Sequence, residues 1–390
     1  MVAQLGAVRL GVYIILMTSE QSPLLDHCPP SLPGESYFDA NWYAREQCLI
    51  WQKEWVYAGR LNDLPIGKMR PLTIGNVGII LCRLSETKIA AYHNICRHRG
   101  SELCRVEQPL GKTIVCPYHA WSYAAADGRL VSTAHATPTA DFNREENGLF
   151  PVATMLWNGF VFINTAEEPS PFMPDLGLEA YDNWPMTDLV TGHKLVRNLN
   201  CNWKVFWENY NECLHCPSIH PELSNLVPIY REGLMSETER QDWSPGKTTG
   251  NALKEGAVTW TLDGQPCGPM FPDLTEVQIK TAANFVTIYP TAYIVAHVDY
   301  VRIVSLVPTS PETTQLTAEW LFSPAAMKQT EFDPSEVAAF ASIVLEQDAE
   351  AAEMNQRGLR SPRFEAGRLM PQEFYIHHFH EWVRQRLDIN

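Results

Sequence analysis

The chain has 390 residues, 45% of them hydrophobic and 19% charged. That is a globular composition, long enough for two domains of unequal size, and it excludes disordered, collagenous and coiled-coil chains. Asp and Glu (45) outnumber Lys and Arg (30) for a net charge of −15, so the chain lacks the basic surface that nucleic acid or an anionic membrane requires.

Val8 to Met17 is a short apolar run with Arg9 as its one charge. It falls well below the roughly 20 residues that span a bilayer, and Thr18-Ser19-Glu20-Gln21 makes a poor signal cleavage site. The expected reading is a loose extension, or translation starting at Met17. Residues 20 to 35 carry Ser22-Pro23, Pro29-Pro30 and Pro33-Gly34 and read as an arm lying on another surface. Residues 39 to 55 place Trp42, Cys48, Leu49, Trp51 and Trp55 at helical spacing. Residues 1–54 are therefore expected to be an N-terminal arm and helix.

From Trp55 to Thr165 short β-rich runs alternate with turn residues: Leu72 to Arg83, Ile89 to Tyr92, Thr113 to Val115 and Gly159 to Ile163. Ala126-Asp127-Gly128 is a hairpin signal. Residues 55–165 read as a small all-β domain. Glu167, Glu168, Pro169, Pro171 and Pro174 mark a linker, and residues 166–390 read as a larger domain mixing helices with long β runs such as Asn284 to Pro308.

Ten cysteines at irregular spacing imply a reducing, cytoplasmic setting, with most thiols acting as small buried apolar groups. Two of them have a distinctive context. Cys96-x-His98, seventeen residues, then Cys116-x-x-His119 puts one thiol and one imidazole on each of two loops. Thiolates on one iron and imidazoles on the other make a Rieske-type [2Fe–2S] centre. Structural zinc uses the same ligand types, but usually begins with C-x-x-C.

A second constellation runs from Asn202 to Pro221. Glu212 and His215 are three apart and would share a helical face. Pro217 is expected to end that helix at Cys216, so that His220 returns from an irregular turn. Cys213 and Cys216 are read as packing. Two histidines and one carboxylate hold mononuclear non-haem iron with open positions for O2. The carboxylate is Glu212 itself or a distant residue. A later helix begins Asp333-Pro334-Ser335-Glu336 and should end near Gly358. Asp348 falls within its apolar stripe. Spacing alone leaves two roles open for it, a metal ligand or an ion pair with an arginine such as Arg357 or Arg360.

Together the two constellations resemble the catalytic α subunit of Rieske non-haem iron oxygenases, from about Trp55 to the C-terminus. Glu208-Asn209-x-x-Glu212-x-x-His215-x-x-x-x-His220 resembles the mononuclear-iron motif, and Glu346-Gln347-Asp348 lies where the family has its third ligand. The resemblance implies an α+β fold, in which an all-β Rieske domain joins a helix-grip catalytic domain with an antiparallel sheet. It implies a cluster on Cys96, His98, Cys116 and His119, and Fe(II) on His215, His220 and Asp348. It also implies a head-to-tail homotrimer in which Glu212 bridges His215 to a neighbour's cluster histidine. Many ring-hydroxylating members have Asp at that position. Glu212 is similar to the homotrimeric choline, glycine betaine, stachydrine and carnitine oxygenases. The chain has no G-x-G-x-x-G loop, so a separate flavin or ferredoxin-type reductase would bring electrons from NAD(P)H. The implied activity is O2-dependent hydroxylation or N-demethylation of a small quaternary ammonium or betaine-type molecule. The alternative is hydroxylation or O-demethylation of an aromatic ring or aromatic acid. An aromatic pocket would suit a quaternary ammonium, with Phe206, Trp207, Trp243, Trp260, Phe285, Tyr289 and Tyr300 as candidates.

Overall fold

The computed structural model describes residues 22–172, 177–244 and 253–389. The Val8 to Met17 run, the Met17 start and residues 173–175 of the expected linker lie outside them. Two compact units emerge: Gln47–Phe172, and the described residues before and after it.

Within Gln47–Phe172 the strands are β1 (Val56–Arg60), β2 (Lys68–Ile74), β3 (Val77–Arg83), β4 (Ile89–His93), β5 (Gln108–Pro109), β6 (Thr113–Val115), β7 (Ser122–Ala124), β8 (Leu130–Ser132), β9 (Pro151–Trp157) and β10 (Phe160–Asn164). They form a seven-stranded sheet, β1-β10-β9-β4-β3-β2-β5, and a three-stranded one, β6-β7-β8. The expected run from Leu72 to Arg83 is two strands, turned at Gly75 in the left-handed region (φ +57°). The Ala126-Asp127-Gly128 signal is the β7–β8 turn, with Gly128 at φ +75°. Ile80, Tyr92, Ile114, Tyr123 and Leu130 pack with Cys96 and Cys116 in one apolar cluster. Each large side chain so buried contributes about 1.5–3 kcal/mol.

The other unit holds α1 (Ala40–Glu46), β11 (Val190–Leu199), α2 (Trp203–Tyr210), α3 (Cys216–Ile219), α4 (Pro221–Leu226), α5 (Glu276–Thr281), β12 (Ala283–Ile288), β13 (Ala292–His297), β14 (Val301–Ser310), β15 (Thr313–Phe322), α6 (Pro334–Leu359) and α7 (Phe374–Leu387). The single helix expected over 39–55 is shorter: α1 is followed by a π-helical turn over Gln47–Trp51. The sheet order is β11-β15-β14-β13-β12, and every pairing described in the chain is antiparallel. Every residue of β13 is buried, as in a strand covered on both faces, whereas edge strand β11 alternates towards solvent. The expected run from Asn284 to Pro308 is thus three strands.

Helix α6 begins as its sequence dictates. The Asp333 carboxylate accepts the Ser335 N–H, Pro334 occupies the first turn, and the helix ends at Leu359. The Pro-rich arm is tied to the C-terminal segment, with Leu25 N–H donating to Pro371 O, Ser31 N–H to Gly367 O and Gly34 N–H to Glu365 O. Among the described residues no helix is long and apolar enough to cross a membrane.

Candidate metal centres

Two loops of the β unit repeat one backbone design. In the first, Cys96 N–H donates to Ser101 O (2.8 Å) and Gly100 N–H to Cys96 O (2.9 Å). In the second, Cys116 N–H donates to Trp121 O (2.8 Å) and Ala120 N–H to Cys116 O (3.1 Å). Gly100 and Ala120, each four residues after its cysteine, share positive φ, +75° and +56°. Both thiols are buried, while His98 is exposed and His119 half-exposed. The imidazole centroids lie 4.8 Å apart, and the Trp121 ring stacks on His98 at 4.7 Å.

Donors converge on both sulfurs. The Tyr123 hydroxyl accepts the Arg97 N–H (3.0 Å) and sits 3.1 Å from the Cys96 sulfur. Burial raises the Cys96 thiol above its usual value. Burial also works against the Cys116 thiolate, but N–H groups of Tyr118 and His119 aimed at the sulfur hold that thiol below its usual value. Paired loops, inner sulfurs with N–H donors and outer imidazoles fit an asymmetric two-iron cluster.

The second constellation forms differently from the sequence expectation. Helix α2 stops at Tyr210, so Glu212 and His215 do not share a helical face. They meet in a tight loop instead. There the Glu212 carboxylate accepts the N–H of Leu214 and of His215 and is hydrogen-bonded to His215 Nδ1. Nor does Pro217 end a helix. It lies in the first turn of α3, where its missing N–H has no intrahelical partner to lose. His220 then sits at the break between α3 and α4. Cys213 and Cys216 are not free packing thiols. They are joined in a disulfide, the loop holding their Cα atoms 5.0 Å apart, within bridging distance.

Three atoms converge across this loop and α6. His215 Nε2 is 3.1 Å from His220 Nε2, and Asp348 Oδ1 is 2.9 Å from His220 Nε2 and 3.6 Å from His215 Nε2. A divalent metal about 2.1 Å from adjacent ligands separates them by about 3 Å, which this triangle matches. Glu212 engages the far nitrogen of His215, so Asp348 closes the triangle. Arg360 is paired with Glu312 rather than with Asp348. Burial opposes the Asp348 carboxylate, yet the two histidines hold it below its usual value. Burial likewise opposes charge on His215, but Asp348 and then Glu212 raise it to about 9.

Sequence reasoning missed Gln347, whose Oε1 is 2.8 Å from His220 Nδ1 and whose Nε2 donates to Glu222 (3.0 Å). Its position beside Asp348 was the available signal. A cleft of about 240 Å3 opens against Glu212 and His215, lined also by Glu208, Glu373 and His380. The Glu208 carboxylate is 2.8 Å from His380 Nε2 and accepts the Tyr37 hydroxyl at 2.5 Å.

Residues 54–143 match the Rieske [2Fe-2S] domain, and residues 186–389 match the ring hydroxylating alpha subunit (catalytic domain). The chain is 30% identical to the glycine betaine monooxygenase oxygenase subunit of Chromohalobacter salexigens, over 90% of this chain and 84% of that one. It is 27% identical to the chloroplastic choline monooxygenase of Atriplex hortensis, over 91% and 77%. The fold resembles that of a quaternary ammonium Rieske monooxygenase studied for carnitine oxidation and inter-subunit electron transfer. The TM-score is 0.71 at 20% identity, covering 92% of this chain and 96% of the other. With two paired-loop thiols and imidazoles in one unit and a two-histidine, one-carboxylate triangle in the other, the chain belongs to the ring hydroxylating alpha subunits, oxidoreductases that join a Rieske [2Fe–2S] domain to a mononuclear-iron catalytic domain.

Proposed function

We propose that this chain is the oxygenase component of a multicomponent monooxygenase that hydroxylates an N-methyl group of a small quaternary ammonium substrate. The convergence of His215, His220 and Asp348 carries the reading. The relatives named for glycine betaine, choline and carnitine support the substrate class.

Cys96, Cys116, His98 and His119 would hold the cluster, and His215, His220 and Asp348 would hold Fe(II). Bound there, these groups would supply single-electron delivery from a reductase oxidising NAD(P)H and the activation of O2. The protein's own contribution is positional. The Gln347 amide oxygen accepts a hydrogen bond from His220 Nδ1–H and turns Nε2 towards the triangle. Glu212 fixes His215 in the same sense and faces the cleft. In a head-to-tail trimer that cleft receives the cluster edge of the adjacent subunit, and Glu212 links His215 to its histidine.

One oxygen atom of O2 enters an N-methyl C–H bond, and the other leaves as water with two electrons and two protons. The resulting N–CH2–OH loses its hydroxyl proton, the N–C pair returns to nitrogen, and formaldehyde and the tertiary amine separate.

The test is metal analysis followed by O2 uptake with a surrogate reductase across betaines, methylamines and aromatic acids. About three irons and two sulfides per chain are expected, with formaldehyde released from an N-methyl substrate. A lone zinc sinks the reading, and turnover confined to aromatic acids favours the ring-hydroxylase alternative. Glu212→Ala should keep both metal centres and lose reductase-driven turnover. Asp348→Ala should lose mononuclear iron and keep the cluster's visible absorption.

A further inference from the structure

One face of the catalytic sheet collects buried N–H donors that have no acceptor. Val295 on β13, Arg302 on β14 and Trp320 on β15 stand opposite one another in register, so their side chains share a face. Tyr293 and His297, two residues either side of Val295, project to the same face. Arg302 is 6% exposed and His297 1%. Among the described residues, Arg302 Nε and the indole nitrogens of Trp260 and Trp320 have no hydrogen-bond partner. Trp260 packs against this face, its ring 5.7 Å from those of His297 and Phe285.

Arg302 also forms no ion pair among the described residues. A buried guanidinium without a counter-charge costs several kcal/mol. The neighbouring carboxylates are engaged: Asp299 accepts from Thr259 Oγ1 and from Cys267 N–H, both at 2.7 Å, and Asp348 meets the two histidines. Arginine and tryptophan only donate. Burial, and then Arg302, hold His297 well below its usual value, while the Ala282 backbone is within reach of its ring, so the donors left without an acceptor are Arg302 and the two indoles. A donor set with a fixed positive charge lacks one thing, a planar anion, and the guanidinium fork fits a carboxylate in bidentate fashion.

The location ties this set to the metal triangle. Helix α2 covers the same face through Tyr293: the Tyr210 ring stacks on it at 4.1 Å and the Phe206 ring at 6.4 Å. Tyr210 is also the last residue before the loop carrying Glu212 and His215. Burial raises the Tyr293 hydroxyl to about 12, with Arg302 lowering it and Asp348 raising it by lesser amounts.

We infer that Arg302, with the indole N–H groups of Trp260 and Trp320, receives the carboxylate of a zwitterionic substrate whose N-methyl group is turned towards His215, His220 and Asp348. The inference rests on the proposed quaternary ammonium reading and narrows it to amino-acid betaines, against amino alcohols such as choline.

The test compares wild type, Arg302→Gln and Arg302→Lys with glycine betaine, choline, tetramethylammonium and benzoate. It uses iron-loaded protein and a surrogate reductase, and thermal shift without turnover. Wild type should prefer glycine betaine to choline in kcat/KM, and glycine betaine should raise its Tm more than choline does. Arg302→Gln should raise the KM for glycine betaine about 100-fold, the loss expected when one side of a buried charged contact is removed. Choline turnover should stay within about threefold, and Arg302→Lys should restore part of the loss. Unchanged iron content and a Tm at or above wild type would establish that the variant folds. An unaltered betaine-to-choline ratio in Arg302→Gln overturns the carboxylate receptor and leaves the quaternary ammonium function standing. Turnover of benzoate alone, lost in Arg302→Gln, overturns the quaternary ammonium reading and keeps the receptor.

Discussion

Gln347 offers the sharpest test of how the triangle is held. The Glu222 carboxylate only accepts, so the Gln347 amide nitrogen faces it (3.0 Å) and the amide oxygen faces His220. The 2.8 Å contact with that oxygen then requires a proton on His220 Nδ1, which leaves the Nε2 lone pair for a metal. Gln347→Leu keeps much of the volume and removes this constraint. Loss of such an outer partner typically weakens metal binding about 10- to 100-fold, or about 1.4–2.7 kcal/mol. Cobalt(II) titration against a competing chelator measures the affinity, and the cluster's visible absorption reports on the β unit. Unchanged cobalt affinity, or loss of cobalt only together with the cluster, would refute the reasoning.

Other expectations concern the framework around the site. Lys204 and Glu46 are both fully buried and paired, with Lys204 also donating to Ser36 O and Asn202 Oδ1, and Glu46 accepting the Trp203 indole N–H. Glu46→Gln or Lys204→Met should each cost about 3–5 kcal/mol in urea unfolding. Glu46→Leu combined with Lys204→Met should cost far less than the sum, and strict additivity would show that no buried charge had been stranded. Ala120 holds φ +56° without being glycine, so Ala120→Gly should stabilise the β unit by about 0.5–1 kcal/mol, read by calorimetry. Burial raises the Glu239 carboxyl to about 7, although it accepts the Met235 N–H. Between the ordinary glutamate pKa and about 7 the folded state holds the extra proton, so stability should fall as pH rises through that window, by about 3 kcal/mol in all. Glu239→Gln should flatten that slope in urea titrations at pH 5, 6 and 7.

That each set of candidate ligands would cluster in space was legible because its information is local. Cys96-x-His98 and Cys116-x-x-His119 each lie within a single hydrogen-bonded loop, so sequence spacing nearly equals spatial grouping. The same holds for α6, whose start is written in Asp333-Pro334-Ser335 and whose stripe carries Asp348 to the site. Errors arose where local rules compete. Glu212 and His215 satisfy helical spacing, but Glu212 instead caps the loop N–H groups of Leu214 and His215, and α2 ends before them. Helical spacing points Cys213 and Cys216 away from the site and predicts packing thiols, but α2 ends at Tyr210 and the loop that follows brings the two sulfurs together.

What the sequence withheld is the non-local half of the site. Tyr293 and Arg302 lie about 80 to 90 residues beyond α2, and only strand register aligns Arg302 with Val295 and Trp320. One signal was nevertheless present. Between Tyr293 and Val307 the non-apolar residues are His297, Asp299, Arg302 and Ser305, and an arginine in a strand buried on both faces needs a counter-charge. Periodicity identifies such a residue as anomalous, and the fold identifies its surroundings as donors without an acceptor. A buried cation that the protein leaves unpaired at the strand face covered by α2 weakens the unliganded fold, and a bound anion would offset that cost. The same positive charge that penalises the unliganded fold therefore supplies discrimination between a carboxylate and a hydroxyl at the far end of an otherwise similar trimethylammonium.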